Sequence, residues 1–345
     1  MKNIHGGDIY NNQIKLDFSV NLNPKGCPRE LSDAVANAVS RIGEYPDTWQ
    51  NEARAQLANY NGLEPANVIC GNGASELFMA IVRMIQPKCG LVLAPSFYGY
   101  EYALNAAKGC VIRWHSLNED EDFSLNSVIL EELTGDVDVF FLCNSNNPTG
   151  RIVDSELLTQ IIRKCEEQDI WLVLDECFVE LSKTAVSMAQ KVNEYRKLIV
   201  VKAFTKLLAI PGIRVGYALS DKENIGLIRK NLPEWNLSVF AEEAVITGSK
   251  LLMDSSFISD THEIISKEKA YLENELKRLG IKVFTSEGSF LLVKAEKDIY
   301  TALLEKGILI RDCSNFVGLS KGFYRIAIKN HEENKAFIES LGEVL

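Results

Sequence analysis

The alternation of short apolar runs with helical stretches constrains the fold of this 345-residue chain more than any other feature. From about residue 70 onward, apolar runs such as GLVLAP (90–95), VDVFFLC (137–143) and IWLVLD (170–175) are separated by stretches with helical spacing, such as 154–169. The runs are apolar without interruption, which is typical of strands buried on both faces of a sheet. We therefore expect an α/β fold with a mostly parallel central sheet that helices cover on both faces.

The last third of the chain has a different pattern, which predicts a smaller α+β domain. A long polar helix is expected at roughly 256–279, and the strand-like runs IKVFT, SFLLVKA, ILIRDC and FYRIAIK follow it. The N-terminal segment contains the loop DFSVNLNPKGCP and is expected to pack against this domain. The predicted division is a large domain over 41–250 and a small domain formed by 1–40 together with 251–345.

Composition excludes several classes of function. The net charge of −10 and the acidic pI of about 5.1 argue against a nucleic-acid or anionic-membrane surface. No apolar run approaches the length of a membrane span, and MKNIHGGDIY has no hydrophobic segment, so we expect a cytoplasmic protein without a signal peptide. The eight cysteines are scattered and form no C-x-x-C pair, so neither a metal site nor a thioredoxin-type site is expected.

Polar residues follow the predicted strands at the points where the strands end. Ligands of open α/β sheets bind outside the carboxyl ends of the strands, so these residues should converge on one edge. They come from NSNNPTG after VDVFFLC, from the end of IWLVLD, from the residues after LIVVKAF, and from the glycine-rich ICGNG that opens a helix. The residues are Asn147, Asp175, Thr205, Lys206, Gly73 and Ala74.

Each of these features has an ordinary interpretation when it is taken alone. NNPTG resembles a turn, a strand-end aspartate is often a helix cap, and a single strand-end lysine is usually solvated. Gly71-x-Gly73 lacks the third glycine of a dinucleotide-binding motif, which argues against NAD. Together, however, they match the needs of pyridoxal phosphate chemistry. A lysine forms a Schiff base with the cofactor aldehyde, a carboxylate pairs with the pyridine nitrogen, and a helix N-terminus with an arginine can hold the phosphate.

On these residues the sequence resembles the fold-type I pyridoxal-phosphate enzymes, the class I and II aminotransferase superfamily. The matching set is NNPTG, the strand that ends at Asp175, and Lys206 followed eight positions later by Arg214 and then by Gly216-Tyr217. The resemblance covers essentially the whole chain. Within the superfamily the chain is similar to the group that contains histidinol-phosphate aminotransferases and the threonine-phosphate decarboxylases of cobalamin biosynthesis.

The resemblance implies a function for each matching residue. Lys206 would bond the cofactor aldehyde and Asp175 would pair with the pyridinium, and these two are the expected catalytic residues. Asn147 would contact the 3-hydroxyl and Phe97 would stack on the ring. The residues expected to hold the phosphate are Gly73, Ala74, Thr205 and Arg214, with Tyr45 reaching the phosphate of a neighbouring subunit in a homodimer that shares its active sites. Lys202 is the rival Schiff-base lysine, but it lies within a strand and has no arginine at the matching offset.

Three segments favour the decarboxylase side of this group. They are HGGD (5–8) with the following DFSVNLNPKGCP, LLAIPGIRVGY, and GILIRDCSNFVGL (307–319). The resemblance implies that Arg325 binds the substrate carboxylate, and Arg311 supplies a second cation for a phosphorylated amino-acid substrate, which carries about two negative charges. His5 and Asn21 are expected to close the site from the N-terminal segment.

One position departs from the aminotransferase pattern. Where histidinol-phosphate aminotransferases usually read D-E-A-Y, this chain has Asp175-Glu176-Cys177-Phe178, so a tyrosine hydroxyl near the cofactor is lost. Several alternatives therefore stay open. The favoured reaction is decarboxylation of O-phospho-L-threonine to aminopropanol phosphate, with O-phospho-L-serine as a possible substrate. The others are a 2-oxoglutarate-dependent aminotransferase of the histidinol-phosphate type and a non-catalytic cofactor-binding protein. Cys177 is expected to be a core residue, and the role of Glu176 is left open.

Overall fold

The computed structural model describes residues 5–345. Its strands are β1 (Leu16–Asp17), β2 (Val68–Gly71), β3 (Cys89–Ala94), β4 (Val111–Ser116), β5 (Val139–Cys143), β6 (Trp171–Asp175), β7 (Leu198–Lys202), β8 (Gly216–Leu219), β9 (Lys282–Val283), β10 (Phe290–Lys294), β11 (Ile308–Leu309), β12 (Arg311–Asp312) and β13 (Phe323–Ala327). Its α-helices are α1 (Arg29–Asn37), α2 (Asn51–Asn61), α3 (Ala74–Ile85), α4 (Tyr98–Leu104), α5 (Ile129–Glu132), α6 (Ser155–Glu167), α7 (Phe204–Leu207), α8 (Lys222–Arg229), α9 (Val239–Leu252), α10 (Ser255–Arg278), α11 (Ile299–Glu305) and α12 (His331–Val344).

A seven-stranded sheet forms the centre of the chain, with the strand order β2-β8-β7-β6-β5-β3-β4. Its inner strands carry apolar residues on both faces, whereas the edge strand β4 is largely exposed. Phe140 and Leu142 of β5 belong to the core beneath α2, α6 and α9, whereas Val139 and Phe141 belong to the core beneath α3, α4 and α8. Because both faces are covered, the strands read as continuous apolar runs. The predicted α/β fold with a mostly parallel sheet is confirmed.

Strand β8 is the exception to the parallel arrangement. It runs antiparallel to both of its neighbours, β7 and β2. The segment 203–215 that connects β7 to β8 contains only the one-turn helix α7 and a short 3-10 helix, so it is too short for a crossover to the far end of the sheet. The chain instead turns back at the edge where β7 ends. Lys206 and Arg214 therefore lie at the same edge of the sheet, one after β7 and the other before β8.

A smaller sheet supplies the other side of the molecule. It has the order β12-β13-β10-β9, and its described pairs are antiparallel. Arg311 on β12 lies directly opposite Arg325 on β13. The N-terminal segment joins this region because β1 pairs in parallel with β11, and Phe18 accepts a hydrogen bond from the backbone N–H of Ala327 at 2.9 Å. The division of the chain into two domains remains a prediction.

Two further properties concern the described part of the chain as a whole. Between residues 5 and 345, no helix combines the length and the apolar character needed to cross a membrane. Within the same range, no cluster of histidine, cysteine and acidic side chains has the arrangement of a metal site. All eight cysteines are free thiols, and five of them are buried, namely Cys70, Cys89, Cys143, Cys165 and Cys313.

Candidate active site

A pocket of about 260 Å³ opens at the carboxyl edge of the seven-stranded sheet, facing the smaller sheet. Six strands of the large sheet, all but β8, end at this edge, and β8 begins there. Helices and the N-terminal segment complete the walls of the pocket. All of the predicted site residues except Tyr45 line it, namely His5, Asn21, Gly73, Ala74, Phe97, Asn147, Asp175, Thr205, Lys206, Arg214, Arg311 and Arg325.

Asp175, the last residue of β6, is a buried carboxylate held by hydrogen bonds. Its Oδ2 accepts from the hydroxyl of Tyr100 at 2.6 Å, and its Oδ1 accepts from the backbone N–H of Cys177 at 2.9 Å. Burial raises the pKa of Asp175, whereas these hydrogen bonds and the charge of Lys206 act in the opposite direction. The side chain is therefore fixed in position and ready to pair with a cationic nitrogen.

Lys206 lies in the one-turn helix α7, immediately after β7. Burial lowers its pKa to about 8, with further contributions from the positive charges of Arg325 and Arg214. Its amine is therefore far easier to deprotonate than that of a solvated lysine, which suits a nucleophile that attacks an aldehyde. Lys202, the rival lysine, does not line this pocket and instead lies 2.6 Å from the Glu180 carboxylate.

One end of the pocket has the features of an anion site. Helix α3 begins at Ala74 after Gly73, which has φ +82° and ψ 164°, a conformation that essentially only glycine adopts. A Cβ at Gly73 would lie 2.4 Å from Nη2 of Arg214, so the guanidinium packs directly against the turn. A helix N-terminus beside a guanidinium favours a phosphate group.

The other end of the pocket carries two buried guanidinium groups. Arg325 donates from Nη2 to the backbone oxygen of Ser19 at 2.7 Å and from Nη1 to Oδ1 of Asn147. Burial lowers the pKa of Arg325 to about 10. Arg311 donates to Oδ1 of Asn315 at 2.8 Å. Among residues 5–345, Nε of Arg325 and Oδ1 of Asn21 are buried without a hydrogen-bond partner, so polar groups remain available to a ligand.

Aromatic rings form the walls between these two ends. Phe97 and Phe178 both line the pocket, and Phe178 packs edge-on against Phe290 at 5.3 Å between ring centroids. His5 lies 6.0 Å from the Phe97 ring. Burial, followed by the charges of Arg311 and Arg325, lowers the pKa of His5. The N-terminal segment thus forms part of the pocket wall, and the expectation that it closes the site over a substrate stays a prediction.

The sequence did not establish where Tyr45, Cys177 and Tyr100 lie in the structure. Tyr45 lies outside the pocket, 82% exposed, with its ring 5.0 Å from that of Trp235, so its contact with a neighbouring subunit remains a prediction. The expectation that Cys177 is a core residue is wrong, because the chain turns after β6 and brings Cys177 to the pocket wall beside Asp175. Tyr100, the hydrogen-bond donor to Asp175, is a site residue that the sequence analysis missed.

Comparisons with known proteins agree with this geometry. The family described as aminotransferase class I and II matches residues 13–341. Threonine-phosphate decarboxylase of Salmonella typhimurium is 32% identical over 96% of this chain and 91% of its own length. Histidinol-phosphate aminotransferase of Methanosphaera stadtmanae is 30% identical over 94% of this chain and 89% of its own length.

A solved structure of the histidinol-phosphate aminotransferase from Clostridium acetobutylicum has a TM-score of 0.87 and 30% sequence identity. The alignment covers 95% of this chain and 98% of that one. The resemblance predicted from the sequence is therefore confirmed at the level of sequence and of fold. This chain belongs to the class I and II aminotransferase family.

Proposed function

We propose that this protein is a pyridoxal-phosphate-dependent decarboxylase that converts O-phospho-L-threonine to aminopropanol phosphate. The observation that carries the proposal is the pair of buried guanidinium groups, Arg311 and Arg325, at the end of the pocket away from Gly73 and Arg214. A substrate with a phosphate and a carboxylate has two anionic ends, and each guanidinium can bind one of them. The decarboxylase relative, similar over nearly the whole chain, supports the same reaction.

The residues present fit pyridoxal phosphate as the cofactor. At Gly73 there is no room for a side chain beside Arg214. A residue without a side chain lets the backbone approach a phosphate closely. Asp175 would pair with the ring nitrogen, Lys206 would bond the aldehyde, and Asn147 would contact the ring hydroxyl. Phe97 would stack on the ring, and Ala74 and Thr205 would complete the phosphate site.

When it is bound, pyridoxal phosphate supplies a protonated ring that accepts the electron pair left at the substrate Cα. Asp175 would keep the ring nitrogen protonated, because a buried carboxylate stabilises a cation beside it. Arg311 and Arg325 would orient the substrate so that the bond between Cα and the carboxylate carbon breaks, and not the Cα–H bond. Carbon dioxide would leave and its bonding electron pair would stay at Cα. Lys206 Nζ would then return a proton to Cα, and a pKa near 8 makes it an effective acid there. Phe97 and Phe178 would exclude water.

Transamination of the histidinol-phosphate type is the second candidate. The observation in its favour is that Lys206 can also move a proton from Cα, and the aminotransferase relatives share the fold and much of the sequence. Phe178 weakens this candidate, since its ring offers no hydroxyl to the cofactor. O-phospho-L-serine is an alternative substrate for the decarboxylase, because one methyl group changes discrimination by only about 10- to 200-fold.

We also propose a cytoplasmic homodimer with shared active sites. Tyr45 supports the dimer, because its ring is 82% exposed and lies beside Trp235, which is also exposed. Such aromatic side chains are typical of a buried interface between subunits. In that arrangement Tyr45 would reach the phosphate site of the partner subunit.

Product analysis tests the proposed reaction. The protein loaded with pyridoxal phosphate is incubated with O-phospho-L-threonine in the absence of a keto acid. Release of carbon dioxide together with aminopropanol phosphate is the expected result, and O-phospho-L-serine is the comparison substrate. Absence of release, with glutamate formed once histidinol phosphate and 2-oxoglutarate are supplied, would establish the aminotransferase instead. Lys206→Ala is the control, and full activity of that variant would contradict both reactions as they are written here.

A further inference from the structure

A second group of buried charged side chains lies behind the ends of β6 and β7, outside the active-site pocket. The Lys202 ammonium is 2.6 Å from Glu180 and 4.0 Å from Glu176. The side chains of Lys202 and Glu176 are almost fully buried, and that of Glu180 is 13% exposed. The Glu176 carboxylate also accepts hydrogen bonds from the Ser187 hydroxyl and, at 2.7 Å, from the backbone N–H of Met188. We refer to Glu176, Glu180 and Lys202 as the ionic cluster.

The ionic cluster and the active site lie on opposite sides of the sheet but share the ends of β6 and β7. Successive residues of a strand point to opposite faces, so Asp175 and the following Glu176 face different sides of the sheet. Asp175 faces the pocket, whereas Glu176 faces Lys202. In the register of β6 and β7, Asp175 is opposite Val201, which places Glu176 level with Lys202 at the end of the ladder. The backbone N–H of Glu176 completes the pairing by donating to Val201 at 2.8 Å.

The cluster therefore joins the two chain segments that carry the catalytic groups. Asp175 is adjacent to Glu176, and Lys206 follows Lys202 by four residues. In the proposed function, Asp175 and Lys206 would bind opposite ends of the cofactor ring. Their separation has to match the cofactor, and nothing within the pocket bonds one directly to the other in the described hydrogen bonds and ion pairs.

We infer that Lys202, through Glu176 and Glu180, is a positioning residue that fixes the placement of Asp175 relative to Lys206. A buried ion pair is weak support for stability, because well-packed apolar side chains often stabilise a fold as well or better. Buried charged groups accept few alternative partners in the interior. They are therefore suited to fixing one register between the ends of two strands. This also assigns a function to Glu176.

Lys202 does not line the active-site pocket, so it would not act as the Schiff-base lysine. It faces a separate cavity of about 350 Å³, which is also lined by Tyr60, Asn61 and His262. Its ammonium also lies 3.3 Å from Oδ1 of Asn61, 3.4 Å from the Ser187 hydroxyl and 5.8 Å from the centroid of the Tyr60 ring. The ammonium is therefore enclosed by partners outside the active-site pocket.

The test compares Lys202→Met with Lys197→Met in the protein loaded with pyridoxal phosphate. Lys197 is a matched control because it also forms an ion pair, with Asp169 at 2.7 Å, but it precedes β7 at the opposite end of the strand. The measurements are the dissociation constant of the cofactor, the pH at which its absorbance band changes, kcat and KM, and the thermal unfolding of the apo-protein. The inference rests on cofactor binding in the proposed function, but the first two measurements do not depend on which reaction is catalysed.

For Lys202→Met we expect kcat to fall on the order of 100-fold, the effect of a displacement of about 1 Å at a reacting group. KM should stay within about twofold, since Lys202 touches no group that binds substrate. The cofactor should bind about tenfold more weakly and its absorbance transition should move, whereas Lys197→Met should match the parent in all of these.

A folded Lys202→Met protein with the parent spectrum, cofactor affinity and kcat would overturn the inference. If Lys202→Met does not fold, Glu180→Gln/Lys202→Met removes both charges of the closest ion pair. The Glu176 carboxylate then keeps its hydrogen bonds from the Ser187 hydroxyl and the Met188 N–H. That double variant should fold and should still show the altered spectrum and the reduced kcat. Parent values in the folded double variant would likewise reject a positioning function.

Discussion

Replacement of Gly73 by alanine tests the phosphate end of the pocket. The backbone at this position has φ +82° and ψ 164°, which costs a non-glycine residue about 1–3 kcal/mol. The new Cβ would also lie 2.4 Å from Nη2 of Arg214, far inside contact distance, so the guanidinium has to move. Loss of one charge-assisted hydrogen bond from Arg214 to the phosphate costs about 1.5–3 kcal/mol. We expect the dissociation constant for pyridoxal phosphate to rise about 10- to 100-fold.

The assay is titration of the apo-protein with pyridoxal phosphate, followed by the visible absorbance of the bound cofactor. Gly212→Ala is the matched control. Gly212 belongs to the same loop as Arg214, but a Cβ there would meet no atom within 4 Å. That variant should bind the cofactor like the parent. A Gly73→Ala protein whose dissociation constant stays within about twofold of the parent, a difference of about 0.4 kcal/mol, would refute the reasoning.

Three further predictions concern the rest of the site. Tyr100→Phe removes the 2.6 Å hydrogen bond to Asp175, which should lower kcat about 10- to 100-fold with little change in KM, and steady-state kinetics with the cofactor spectrum will measure it. Because the pKa of Lys206 is lowered to about 8, its neutral amine is scarce at pH 7 and predominant at pH 9, so cofactor uptake by the apo-protein should accelerate about tenfold over that interval. Uptake that is independent of pH across this range would contradict that assignment. Arg325→Lys keeps the charge but loses the planar fork, so kcat/KM for the phosphorylated substrate should fall on the order of 100-fold, while cofactor affinity measured by titration stays closer to the parent value.

The residues at strand ends were predictable from the sequence because of a simple geometric rule. Parallel strands bring their carboxyl ends to one edge, so Asp175 and Lys206 had to lie near each other once the apolar runs were assigned to one sheet. The N-terminal and C-terminal parts of the pocket were predictable only by resemblance. No periodicity indicates that Arg311 and Arg325 lie opposite each other on β12 and β13.

Other features required coordinates because they depend on distant side chains or on strand direction. Tyr100 and Asp175 are 75 positions apart and share no motif, and their hydrogen bond arises only when α4 packs against the sheet. The apolar residues of β8 indicate a strand but not its direction, which depends on the short connection after β7. Cys177 follows a buried strand, yet the turn after Asp175 places it on the pocket wall.

The pairing of β1 with β11 has a consequence for how the protein is made. Ser19 accepts a hydrogen bond from Arg325 across 306 positions of sequence, and Leu16 pairs with Ile308. Contacts of such high sequence separation form late in folding, because a long loop must close first. During synthesis, a ribosome would expose the complete seven-stranded sheet while the N-terminal segment still lacked its partner strand. The cofactor end of the pocket can therefore assemble co-translationally, whereas the end with the two arginines must wait until nearly the whole chain has emerged.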